Sequence, residues 1–71
     1  MNMTPIANSS NVKAVGYDED TKTLRVEFLK GGVYDYIGVP ESEHSALMSS
    51  SSVGSYIARN IKGKYESRKV A

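Results

Sequence analysis

Seventy-one residues make one small domain, and a chain of this size buries only about 60% of the surface that its unfolded form exposes. There is no cysteine for a disulfide or a thiolate metal site, and nine basic against eight acidic residues leave a net charge of +1 that selects no partner. No apolar run approaches the roughly 20 residues that span a bilayer, and Met1–Asn11 lacks the basic start and apolar stretch of a signal peptide, so the expectation is a soluble, cytoplasmic domain with no membrane partner.

The first eleven residues are polar, contain Pro5 and show no periodicity; they read as a flexible or loosely docked tail over 1–11. Val12 to Tyr17 is the first strand, with Val15 and Tyr17 on one face and Ala14 and Gly16 on the other. Asp18 to Lys22 is a turn by composition, because an aspartate there bonds its own backbone. Thr23 to Phe28 alternates, with Leu24, Val26 and Phe28 on one side and Thr23, Arg25 and Glu27 on the other. Pairing Asp18 with Thr23 sets Tyr17 against Leu24 and Val15 against Val26, so the apolar faces agree.

Lys30-Gly31-Gly32 is the second turn, and the third strand has two settings. Either Tyr34 and Tyr36 point inward, or Val33, Asp35 and Ile37 do. The second setting buries an aspartate, which is costly. The first needs a three-residue loop, for which a glycine is suited, and predicts Leu29 opposite Val33, Phe28 opposite Tyr34 and Val26 opposite Tyr36. The first is therefore the expected one. The inner face is then Val15, Tyr17, Leu24, Val26, Phe28, Tyr34 and Tyr36, and the outer face carries Ala14, Gly16, Arg25, Glu27, Val33, Asp35 and Ile37.

Pro40 suits a first helical position, and Glu41 and Glu43 suit the positive end of a helix dipole. A short helix from Pro40 to about Met48 should bury Val39, Ala46 and Leu47. The serine run 49–52 supplies an N-cap, Ser51 or Ser52, for a second helix whose stripe is Val53, Tyr56, Ile57, Asn60 and Ile61, with Gly63 as its C-cap. Lys64 to Ala71 is a polar stretch that Tyr65 and Val70 dock in one reading, as a short further strand. The expected fold is α+β: a three-stranded antiparallel meander followed by two helices packed on one face, with a single domain over 12–65 and a basic tail over 66–71.

No catalytic constellation emerges. His44, the only histidine, sits near Glu41 and Glu43 with no nucleophile or further ligands, and reads as an exposed surface residue. Asp18, Glu19 and Asp20 do not follow a calcium-loop pattern, since Thr21 and Lys22 interrupt it. Metal, cofactor and enzyme readings are therefore set aside. Tyr34 and Tyr36 are aromatic at i and i+2, a spacing that serves either core packing or base stacking. From Arg59 onward, Arg59, Lys62, Lys64, Arg68 and Lys69 face only Glu66, a net +4, while the rest of the chain carries −3. That asymmetry points to nucleic acid or another anion, or to a plain solvated tail. Ser52 and Gly54 open the second helix as a phosphate site or as simple capping.

Several of these pieces occur together, in order. They are Val15-Gly16-Tyr17-Asp18, Leu24-x-Val26-x-Phe28, Gly32-Val33-Tyr34-x-Tyr36, Gly38-Val39-Pro40, Ser52-x-Gly54 before Tyr56, and Ile61-Lys62-Gly63-x-Tyr65. Over Ser10 to Tyr65 the chain resembles the KTSC domain, a small family named for its occurrence at the C-terminus of some lysyl-tRNA synthetases and found also as stand-alone bacterial and phage proteins. The resemblance implies a role in RNA binding, supplies no catalytic residue, and makes the tyrosines of the Y-x-Y signature, Tyr34 and Tyr36, matter for packing or for contact. The functional expectation is a non-catalytic nucleic-acid-binding domain. Arg59, Lys62, Lys64, Arg68 and Lys69 contact phosphates, Tyr65 stacks a base, and Ser52 and Gly54 contribute. The alternative is a protein-interaction or homodimerisation module that docks through Val33 and Ile37 on the outer sheet face, beside Ala14 and Gly16.

Overall fold

The computed structural model describes residues 1–71. Strands β1 (Met3–Pro5), β2 (Val12–Asp18), β3 (Thr23–Phe28) and β4 (Gly32–Ile37) are followed by helices α1 (Glu41–Met48) and α2 (Val53–Tyr56). A π-helical turn, Ile57–Ile61, continues α2, and strand β5 (Glu66–Lys69) closes the chain. The strands form one antiparallel sheet in the order β1-β2-β3-β4-β5. The fold is α+β, with five strands: the expected meander of three, the short C-terminal strand that one reading allowed, and an N-terminal strand that was not expected. Both supposed tails are strands: Met3 to Pro5 pairs with Gly16 to Ala14, and Glu66 to Lys69 with Ile37 to Tyr34. Neither segment has an apolar alternation of its own. Each is ordered by offering its backbone to an open edge, a signal that side chains do not carry.

The first hairpin matches its expected register, with Asp18 opposite Thr23, Tyr17 opposite Leu24 and Val15 opposite Val26. Its turn is closed by the Asp18 carboxylate, which accepts from the Asp20 N–H at 3.0 Å. Further along, Lys13 is an extra residue in β2, and this bulge turns Val12 onto the inner face, where it is 1% exposed. The second hairpin is slipped by two. Leu24 faces Tyr36, Val26 faces Tyr34 and Phe28 faces Gly32, around a loop one residue earlier than expected. The Leu29 N–H donates to the Asn11 carbonyl at 2.9 Å, which carries the β2–β3 pairing one residue past Phe28. Gly32, at φ 82, opens β4 in the left-handed region, and the C-terminal Ala71 carbonyl would lie 2.5 Å from any Cβ there. Because side chains alternate with period two, a slip of two leaves both faces as expected. Tyr34 and Tyr36 point inward, and Arg25 and Asp35 meet outside in a two-pronged ion pair at 2.7 and 2.9 Å.

The core lies between the inner sheet face and the helices: Val12, Val15, Leu24, Val26, Tyr36, Val39, Leu47, Val53, Ile57 and Ile61. Pro40 is the residue before α1 rather than its first position, and its carbonyl accepts from the Glu43 and His44 N–H groups. Leu47 is fully buried, but Ala46 is exposed, contrary to expectation, because an eight-residue helix offers one narrow stripe to the sheet. Ser52 caps α2 by accepting from the Ser55 N–H. The expected regular helix lasts one turn, after which the Lys62 N–H bonds the Ile57 carbonyl five residues back. Replacing Leu24, which is fully buried, with alanine is expected to cost about 2–5 kcal/mol in urea unfolding, while the same change at the exposed Leu29 stays within about 0.5 kcal/mol.

Candidate nucleic-acid interface

The two helices seal the sheet over Val15, Leu24 and Val26 but stop short of Phe28 and Tyr34, which remain half-buried. The uncovered part is a cleft of about 570 Å³ lined by Asn11, Phe28, Lys30, Gly31, Tyr34, Tyr36, Lys62, Gly63 and Ser67. Phe28 packs edge-on against Tyr34, with ring centroids 5.8 Å apart and planes at 76°. Lys62, the first residue beyond the π-helical turn, holds its Nζ 5.1 Å from the Phe28 ring centre. Lys30 reaches the same cleft from the β3–β4 loop. Tyr36 is 4% exposed, and burial, with the neighbouring Tyr34 adding, raises its hydroxyl pKa above the ordinary tyrosine value. Lys69 pairs with Tyr34 in the sheet and lies against Gly32.

The remaining candidate residues are not gathered there. Arg59 is exposed on the π-helical turn. Arg68 falls on the outer face opposite Asp35, 3.7 Å from Glu66. Ser52 and Gly54 lie at the far end of the helix layer, where the chain itself occupies the supposed phosphate site. The Asn8 side chain accepts from the Val53 N–H, and a Cβ on Gly54 would sit 2.5 Å from Asn11 Oδ1 and 2.7 Å from Ser9 Oγ. Ser9 Oγ in turn accepts from the Val12 N–H at 3.1 Å, so this glycine admits the segment that leads into β2.

Lys64 and Tyr65 are engaged elsewhere. The Glu43 carboxylate accepts from the Tyr56 hydroxyl, from the Tyr65 hydroxyl at 2.9 Å and from Lys64 Nζ at 3.1 Å. The Tyr56 bond, opposed by burial and helped by Tyr65 and Lys64, holds this carboxyl below its usual range. The Tyr56 hydroxyl is raised chiefly by its bond to Glu43, and the Tyr65 hydroxyl by burial and then by the same bond. Tyr65 is thus a clamp on α1 rather than a free stacking ring. His44 is not a free surface residue either: its ring stacks on Tyr17, centroids 4.6 Å apart and planes 8° from parallel, while the Tyr17 hydroxyl donates to the Val39 carbonyl at 2.6 Å. Glu41 accepts from Ser45 rather than pairing with His44. No three His, Cys, Asp or Glu side chains come together to hold a metal ion, and no helix is long and apolar enough to cross a membrane.

Residues 8–65 match the KTSC domain family. The chain belongs to that family. Lysine–tRNA ligases of Nostoc punctiforme and Trichormus variabilis are each 39% identical to it over 57 residues. That match covers 80% of this chain but only 10% of either ligase, so the KTSC domain spans about a tenth of the length of these relatives. The crystal structure of a KTSC domain protein from Yersinia pestis superposes with a TM-score of 0.95 at 38% identity, covering 99% of this chain and 97% of the other. The matched region takes in the whole cleft except Ser67, as well as the Glu43 clamp.

Sequence reasoning placed Tyr34, Tyr36 and Lys62 among the candidates but missed Phe28 and Lys30. Phe28 was legible as an inward residue of β3 and Lys30 as part of the hairpin turn, but their approach to Lys62 depends on where the second helix ends. The Glu43 clamp left no local signal, since its tyrosine partners are 13 and 22 residues away.

The clamp makes stability depend on pH. In the folded KTSC domain the Glu43 pKa lies below its ordinary value of 4.5, so its contribution is fully present above that pH and is lost as pH falls through the folded pKa. Glu43→Gln should therefore lower stability by about 1–3 kcal/mol at neutral pH, and the deficit should shrink below about pH 4.5. Urea midpoints measured from about pH 7 to about pH 3 check both parts. Gly54→Ala should cost about 1–3 kcal/mol and speed hydrogen exchange at the Val12 amide, because it displaces Ser9 and Asn11. An alanine that leaves the Val12 amide protected would mean that this end has room to spare.

Proposed function

We propose that this KTSC domain is a non-catalytic binding domain for single-stranded RNA, and that it binds through the cleft on the open part of the inner sheet face. The observation that carries this reading is the convergence of Lys62 and Lys30 on the cleft that holds Phe28, Tyr34 and Tyr36. Aromatic rings beside cations are what a sequence-tolerant single-strand site requires: rings to stack bases and ammonium groups to take phosphates. A duplex keeps its bases stacked on one another and offers nothing to a cleft of this size. Lys69 and Arg59 extend the positive surface, whereas Lys64 and Arg68 are partly neutralised by Glu43 and Glu66. The lysine–tRNA ligase relatives are named for an RNA substrate, which favours RNA over DNA, although this chain matches only a tenth of those proteins.

Docking to a protein through the outer sheet face is the weaker reading. Its centre is the Arg25–Asp35 ion pair, and the small-residue patch at Gly16 is covered by the chain's own Met1 and Met3 side chains. No cofactor or metal enters either reading.

Fluorescence titration with a short unstructured RNA at several salt concentrations tests the proposal. Affinity should fall as salt rises, because displaced counterions drive phosphate binding. The double variant Lys30→Ala/Lys62→Ala should bind on the order of tenfold more weakly and reduce the slope of log K against log salt by about 0.7 for each phosphate that is no longer neutralised. Arg68→Ala, on the opposite face, should change little. Binding that ignores salt, or that survives the double variant unchanged, defeats this assignment.

A further inference from the structure

We infer that the cleft is a one-nucleotide pocket, in which an unpaired base stacks on Tyr34 and meets the Tyr36 hydroxyl at its edge while the adjoining phosphate rests on Lys62 and Lys30. This rests on the RNA-binding reading and adds a base-recognising element to it.

Tyr36 is the key residue. Only 4% of it is exposed, and its hydroxyl makes no hydrogen bond within the protein. Of the other four tyrosine hydroxyls, that of Tyr17 donates to Val39 and those of Tyr56 and Tyr65 to Glu43, while that of the half-buried Tyr34, which lines the same cleft, is free like that of Tyr36. No side-chain polar atom is sealed in the interior without a partner. The Tyr36 hydroxyl therefore reaches the surface, and Tyr36 lines the cleft. A hydroxyl without a protein partner, on a largely buried ring that lines the cleft, is a donor and an acceptor available to a ligand there. The edge of a nucleobase offers both kinds of group.

The dimensions of the cleft agree. A volume of about 570 Å³ falls within the range of small-molecule sites and has room for one nucleotide. Phe28, edge-on to Tyr34, holds that ring in place, so stacking a base on it orders little that is not already ordered. The Phe28 ring is itself attended by Lys62 at 5.1 Å, which leaves Tyr34 as the stacking surface and keeps a cation at the cleft.

The test compares the full chain binding to a short oligouridylate and to the abasic ribose–phosphate strand of the same length. The base-bearing strand should bind about tenfold more tightly. Tyr36→Phe, which keeps the ring and so the core, should cut that preference by about fivefold without altering the salt slope. Lys62→Ala should do the reverse, lowering the slope and keeping the preference. Resonances of the Tyr34 and Tyr36 rings should shift with uridine 5′-monophosphate and stay still with ribose 5-phosphate. Equal affinity for the two strands, or a Tyr36→Phe variant with its preference intact, overturns the base pocket but leaves salt-dependent RNA binding standing. Failure of both strands to bind removes the RNA reading, and the pocket with it.

Discussion

The constraint on which this structure depends is one of area. A five-stranded sheet has an inner face wider than two short helices can cover. The helices lay their apolar residues, Leu47, Val53, Ile57 and Ile61, over the aliphatic part of that face, where Val15, Leu24 and Val26 are essentially inaccessible. The aromatic part, Phe28 and Tyr34, is left half open. A domain this small has little burial to spare. The aliphatic residues gain from complete exclusion of water, whereas tyrosines tolerate a wet edge because each has a polar end. Along β3 and β4 the aliphatic residues and the ring of Tyr36 thus belong to the core, while Phe28 and Tyr34 border the cleft.

Two polar devices hold that arrangement. On the outer face, the Arg25–Asp35 pair ties β3 to β4 with two parallel hydrogen bonds, the geometry in which a guanidinium–carboxylate contact is strongest. On the helical side, Glu43 gathers Tyr56, Tyr65 and Lys64, so one carboxylate joins α1 to α2 and to the connection into β5. The clamp also divides the labour among the tyrosines. Tyr56 and Tyr65 are tied down through their hydroxyls, whereas Tyr36 is held through its buried ring and its hydroxyl has no protein partner. The KTSC domain protein of Yersinia pestis shares the backbone fold over nearly all of both chains.

Much of the fold was legible from local pattern. Leu24, Val26 and Phe28 alternate so plainly that β3 and its partner across the Asp18 turn could be placed residue by residue. The cost of burying Asp35 chose the inward tyrosines, and the structure pairs Asp35 with Arg25 on the other side. The serine run before the Val53, Ile57, Ile61 stripe narrowed the cap to Ser51 or Ser52, and the structure uses Ser52. Other features were not legible, for reasons that can be named. The second hairpin is slipped by two, and because both registers put the same side chains on the same faces, the apolar pattern does not distinguish them. The π-helical turn has no residue signature. The basic end, which reads as one cluster along the chain, is divided in space: Lys62 goes to the cleft, Lys64 to Glu43 and Arg68 to the outer face, because strand alternation and the turn at Gly63 send neighbouring residues in different directions.

The order of strands and helices from Val12 to Ile61, and the apolar side of each strand, are written into the residues themselves, since they depend on periodicity and turn chemistry within a few positions. The edge pairing of Met3–Pro5 and Glu66–Lys69, the Glu43 clamp and the cleft that joins Lys62 to Phe28, Tyr34 and Tyr36 arise only once the chain has folded. Those features depend on backbone groups and on side chains far apart in the chain, and nothing in a local run of residues records which of them will meet.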